Sequence, residues 1–142
     1  DIAAPPMKVW RTLSDFASYP RWNPYRGVVG VAALGEKVIL RIGPDAAKRR
    51  PLPAKITEFE PGRILTFTTG RPLIGLATET FELDRSPRGT RLRHAARMKG
   101  MGATLVGRFT VGPGLIKVYQ RVDDALADFV TEGRQPRRKQ ER

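Results

Sequence analysis

Between Ile2 and Pro24 the order of chain-breaking and apolar residues leaves room for little except two short consecutive helices. Pro5 and Pro6 suit a first helical turn, where a missing amide hydrogen costs nothing, and Val9, Trp10 and Leu13 then recur at helical spacing. Asp15 and Pro20 punctuate the run. So short a pair can be held to a sheet only by large side chains, so Trp10, Phe16, Tyr19 and Trp22 are expected to be core more often than ligand-facing.

The middle of the chain alternates as strands do. Tyr25 to Ala33 is rich in valine, and Glu36 to Ile42 reads as its hairpin partner across Leu34-Gly35. A polar, proline-bounded loop from Pro44 to Pro51 follows. Leu52 to Glu60 and Arg63 to Thr69 are strands joined at Pro61-Gly62, a pair that a type II turn accepts. Gly70 to Gly75 carries Leu73 and Ile74 between breakers and reads as a lid. Leu76 to Asp84 and Thr90 to Lys99 form a long hairpin, with Pro87 and Gly89 placed for a type I turn.

Beyond Gly102 the pattern turns helical, with a break at Gly112-Pro113-Gly114. The main helix runs from Pro113 to about Glu132, with an apolar stripe of Leu115, Val118, Tyr119, Val122, Leu126, Phe129 and Val130 and Gly133 as its cap. Residues 134–142 have nothing apolar to bury and read as a loose basic tail. The assembly expected is an α+β domain: a curved antiparallel sheet wraps the C-terminal helix, and the short helices plug one end. Small residues on the wrapped face (Ala77, Ala96, Gly100, Gly102) leave space for a cavity, which is predicted to be lined by Leu40, Phe67, Phe81, Ala96, Met98 and Tyr119.

At 142 residues, one domain can bury a core without crosslinks. With no cysteine and one histidine, disulfides and thiolate metal sites are excluded, and neither a metal nor another cofactor is expected. No apolar run approaches the roughly 20 residues of a membrane span, and the N-terminal residues show no signal-peptide pattern, so a cytoplasmic monomer or homodimer is the expectation. Basic residues outnumber acidic ones 26 to 14, and the tail holds only five of them. That balance favours anionic partners in general, although host composition bias would produce it equally.

Alternation in the long hairpin gathers the residues that can carry chemistry. Ala77, Glu79, Phe81 and Leu83 share one face of the first strand, and Leu92, His94, Ala96 and Met98 share one face of the second. Folding about Pro87-Arg88 pairs Leu83 with Leu92, Phe81 with His94 and Glu79 with Ala96. Glu79 and His94 then become diagonal neighbours, close enough for long side chains to meet. A carboxylate that orients an imidazole is what acid/base catalysis uses; a buried histidine satisfied by a carboxylate without any function is the plainer alternative. On the other face, Arg91, Arg93, Arg97 and Lys99, with Lys48-Arg49-Arg50 and the tail, could meet an anionic surface in a salt-dependent way. No stacking aromatic interrupts that row, which makes nucleic acid an unfavoured partner.

The helix pair, Ile56-Thr57-Glu58-Phe59-Glu60-Pro61-Gly62-Arg63, Thr80-Phe81-Glu82-Leu83, Gly89-Thr90-Arg91-Leu92-Arg93-His94 and the closing helix occur in an order that resembles the SRPBCC, or START-like, superfamily of polyketide cyclase/dehydrases and lipid carriers. The resemblance implies a helix-grip fold over residues 1–133, its first strand cut to Asp1 and Ile2. It also implies a small hydrophobic ligand, a lipid or aromatic metabolite, between sheet and helix. An enzyme of the cyclase/dehydrase type using Glu79 and His94 is the alternative, and binding through the basic patches a second. In that family's pattern a histidine falls near the Glu79 position and a glutamate near the Ala96 position, so the two look exchanged here.

Overall fold

The computed structural model describes residues 1–71, 73–99 and 113–132. Six strands form one antiparallel sheet in chain order: β1 (Arg26–Val29), β2 (Lys37–Ile42), β3 (Arg50–Glu60), β4 (Ile64–Arg71), β5 (Gly75–Ser86) and β6 (Gly89–Lys99). Helices α1 (Pro6–Ser14) and α2 (Tyr19–Trp22) precede it, joined by a 3-10 turn at Phe16–Ser18, and α3 (Pro113–Thr131) follows. This is the α+β helix-grip arrangement.

The N-terminal helices are held as their composition predicts. Val9, Trp10, Leu13, Phe16, Tyr19 and Trp22 are all buried. Pro6 opens α1 and the Asp15 N–H closes it on the Arg11 carbonyl at 3.0 Å. The buried Tyr19 hydroxyl donates to the Leu13 carbonyl at 2.6 Å, so the second helix folds back on the first without an unpaired polar group. Asn23 then accepts from the N–H groups of both Tyr25 and Arg26, at 3.0 and 2.9 Å, which sets the direction in which β1 leaves.

The long hairpin takes the predicted register: Leu83 faces Leu92, Phe81 faces His94 and Glu79 faces Ala96. Pro61-Gly62 makes the predicted turn, with Gly62 at φ 77° and the Arg63 N–H bonded to the Glu60 carbonyl at 3.0 Å. Other boundaries moved. β1 ends at Val29 rather than Ala33, and β3 begins at Arg50, ahead of Leu52. Pro51 and Pro53 are tolerated there because pairing with β4 starts only at Ala54, so that this part of β3 is an edge.

The expected lid is instead the tip of the β4–β5 hairpin. Arg71 pairs with Gly75, and Gly70 takes φ 96° in a place where a Cβ would lie 2.1 Å from the Gly75 carbonyl oxygen. Only glycine fits so close a strand crossing. Leu73 and Ile74 stand exposed at this tip, Leu73 at 91%.

Helix α3 buries Val122, Leu126 and Val130 in the core, with α1 and α2 among its neighbours, whereas Leu115, Val118 and Phe129 are only half-buried. The stripe that reaches the core is therefore narrower than its seven apolar residues suggest. Ile2 forms a bridge to Thr90, each N–H bonded to the other's carbonyl at 2.7 and 2.9 Å. No helix among the described residues is long and apolar enough to cross a membrane. The expectations for Gly100, Gly102, the helical pattern beyond it, Gly112, the Gly133 cap and the tail 134–142 lie outside the described residues.

Candidate functional site

Between the concave face and α3 lies a cavity of about 260 Å³. Its walls are mostly apolar: Leu40 from β2, Phe67 from β4, Ala96 and Met98 from β6, and Tyr119 and Leu115 from α3. Arg26 and Glu79 also line it. Thus five of the six residues predicted to meet a ligand stand at its wall. Phe81 does not: it is 2% exposed, because the ring of its cross-strand partner His94 covers it.

The polar wall is built by three elements. Strand alternation puts Arg26 on the same face as the buried Val28, and places Glu79 between Ala77 and Phe81 on the inner face of β5. Arg26 forks onto Glu79, with Nη1 donating to Oε1 and Nη2 to Oε2, the latter at 2.6 Å. Behind this pair His94 has only 2% of its side chain exposed. Its Nδ1 lies 2.7 Å from Asp123 Oδ1 on α3, and its Nε2 lies 3.4 Å from Glu79 Oε2 without hydrogen-bond alignment. The imidazole is also stacked between two rings, Phe81 at 4.0 Å and Tyr119 at 3.7 Å between centroids.

The charges follow from these neighbours. Burial pushes the Glu79 carboxyl upward, but the Arg26 guanidinium outweighs it and, with His94, holds the group well below the usual carboxylate range. Burial works against the Arg26 cation in the same way and Glu79 overrides it, so Arg26 holds its proton more firmly than a free guanidinium. For His94, burial pulls the pKa down, while Asp123 and Glu79 together raise it above that of a free imidazole. Burial first, and then the Glu79 charge, hold the Tyr119 hydroxyl protonated far above its ordinary range.

Glu79 and His94 do come together, as the register requires, yet His94 is not among the residues lining the cavity. Arg26 and Asp123 were not singled out from the sequence. Arg26 could have been: it sits two residues before an inward Val28, a charged side chain on an apolar phase. Asp123 gives a fainter signal, a carboxylate one helical turn after Tyr119 beside a second aspartate, Asp124. Among the described residues no group of three or more histidine, cysteine or acidic side chains could hold a metal ion.

A curled sheet closed on a helix, with an apolar cavity and a few convergent polar groups, defines a helix-grip domain of the ligand-pocket type. The chain belongs to the polyketide cyclase/dehydrase and lipid transport family, whose family model matches residues 1–133. Solved structures share the fold at low identity. A protein from Rhodobacter sphaeroides superposes with a TM-score of 0.71 at 18% identity, over 93% of this chain and 88% of that one. Protein MLL2253 from Mesorhizobium loti gives 0.70 at 19% identity, over 96% and 95%. The di-domain ARO/CYC StfQ of the steffimycin biosynthetic pathway gives 0.67 at 14% identity, over 93% of this chain and 49% of that one. No curated protein matches the sequence.

Proposed function

We propose that this domain binds a small, largely apolar molecule in the cavity between the sheet and α3. The observation that carries the reading is the cavity itself, walled mainly by apolar side chains such as Leu40, Phe67, Met98 and Leu115, with Arg26, Glu79, Tyr119, Thr69, Thr78 and Arg97 as its polar lining. Its volume of about 260 Å³ falls below the roughly 300–1,000 Å³ typical of pockets for drug-sized ligands. A single-ring or short-chain molecule therefore suits it better than a bilayer lipid.

Binding is favoured over turnover by the state of the acid/base pair. A carboxylate clamped by Arg26 and held ionised makes a poor general acid and a weakened base. His94, flanked by two rings and two carboxylates, stands behind Glu79 rather than at the wall. The outward Arg91 and Arg93 lie 3.9 Å from Asp1 and Asp84, which supports reading that row as a solvated strand face rather than a docking surface for nucleic acid or an anionic layer.

Native mass spectrometry of freshly purified protein, followed by titration with an apolar fluorescent probe, tests the proposal. A bound small molecule, and probe binding lost in a folded Met98→Trp variant, are the expected results. Equal probe affinity in both proteins would move binding to the surface.

A further inference from the structure

Helix α3 is held unevenly along its length. In its second half Val122, Leu126 and Val130 are buried in the core, and the Arg21 guanidinium lies over the Phe129 ring at 5.8 Å. In its first half none of residues 114–121 is buried, although Leu115 and Tyr119 form one wall of the cavity. A terminal segment with so little buried surface opens at low cost. What ties it down among the described residues is a polar cluster. The Tyr119 ring stacks on His94 and its hydroxyl bonds to Glu79, and one turn further on Asp123 reaches His94 Nδ1 at 2.7 Å.

That cluster fastens the helix in one protonation state. Both ring nitrogens of His94 face carboxylates from different elements, Asp123 on α3 and Glu79 on β5. An imidazolium has an N–H for each, whereas a neutral imidazole has one, so one carboxylate must then face a bare nitrogen. The charge count agrees: Arg26 from β1 and a protonated His94 balance Glu79 and Asp123. The hydroxyls of Tyr119 on α3 and Tyr19 on α2 also face this cluster, and burial keeps both protonated. Loss of the His94 proton therefore leaves an unmatched negative charge in a dry site, which is strongly unfavourable. With 2% of its side chain exposed beneath Tyr119, His94 meets water once that ring moves aside.

We infer that the first half of α3 is a cover over the cavity, pivoting where burial begins at Val122 and latched to the sheet through His94, and that the latch loosens as pH rises. The device governs access to the cavity whatever occupies it, so its test needs no ligand. Lifting the cover frees an imidazole that titrates near pH 6.5, whereas the closed form keeps its proton to higher pH. The closed form thus holds the extra proton, and the open fraction should grow by up to about tenfold per pH unit above about pH 6.5. The chain has no cysteine, so a thiol placed on the cavity wall by Ala96→Cys reports access through its rate of labelling by dithiobisnitrobenzoate. Dividing that rate by the rate in Ala96→Cys combined with His94→Gln, at each pH, cancels the thiol's own titration. Between about pH 6.5 and 8.5 the quotient is expected to rise about fivefold or more. A flat or falling quotient overturns the latch and leaves the binding reading to its own titration. Asp123→Asn in the Ala96→Cys protein removes the charge on the helix side, so labelling should be faster at the acidic end and its profile flatter. Labelling unchanged by Asp123→Asn would also overturn the proposal. Circular dichroism checks each variant, and where the His94→Gln combination does not fold, the Asp123→Asn combination serves as the divisor.

Discussion

The β5–β6 hairpin carries two diagonal carboxylate–base pairs, one on each face, and they share little beyond their geometry. On the outside Arg93 lies 3.9 Å from Asp84, both about half exposed. On the inside Glu79 lies 3.4 Å from His94, with 9% and 2% of their side chains exposed. The outer pair can exchange its partner for water at almost no cost, whereas the inner pair must be satisfied within the protein. The protein meets that demand by recruiting Arg26 from β1 and Asp123 from α3. Cross-strand placement is therefore the lesser part of a site; the elements that close over it decide its charge.

The contrast is most sharply broken by removing one inner partner. Arg26→Met leaves Glu79 buried without its cation and is expected to cost about 3–5 kcal/mol in denaturant unfolding. A loss under about 1 kcal/mol would mean that water reaches the pair as freely as it reaches the outer one. Leu126→Ala attacks the dryness of the inner face rather than its charges. That residue is fully buried on α3, so truncation should cost about 2–5 kcal/mol by the same measurement, and a value below about 0.5 would place the helix elsewhere.

The third effect is one of pH. His94 has a raised pKa in the folded protein, so its contribution is fully present below the pKa of a free imidazole, near 6.5, and is lost as pH rises through the folded value. Stability should therefore fall from about pH 6 upward with a slope from this group of at most about 1.4 kcal/mol per pH unit. In His94→Gln that decline should vanish, and an unchanged slope would assign it to another group. Glu79, whose pKa is depressed, acts in the opposite window: its contribution is present above about pH 4.3 and disappears on acidification. The smallest effect belongs outside, where Arg93→Ala should change stability by no more than about 0.5 kcal/mol and a larger loss would erase the contrast between the faces.

The inner hairpin was legible because period-2 alternation and a two-residue connection fix the register without outside help. The order of helices and strands was legible for a similar reason, as each element carries its own breakers. What escaped depended on pairing between distant segments. The start of β3 at Arg50 needed the knowledge that β4 does not reach Pro51 and Pro53. The hairpin tip at Leu73 and Ile74 looked like a lid because only the Arg71 to Gly75 pairing reveals its tightness. Arg26 becomes an inward charge only once β1 is confined to Arg26–Val29 and Val28 fixes which phase of it faces the core. Asp123 could be placed only once α3 had a rotation about its axis, which its apolar residues alone left too broad.

Stacking the imidazole between Phe81 and Tyr119 gives the molecule a built-in reporter. A proton held over the faces of two aromatic rings feels the induced magnetic field of both, so the carbon-bound protons of His94 should resonate well upfield in an NMR spectrum. The chain has one histidine, which makes that signal unambiguous. Phe81 belongs to the sheet and Tyr119 to the helix, so half of the shielding vanishes whenever α3 lifts away. A single resonance would then record, in solution and without any label, how often the cavity opens.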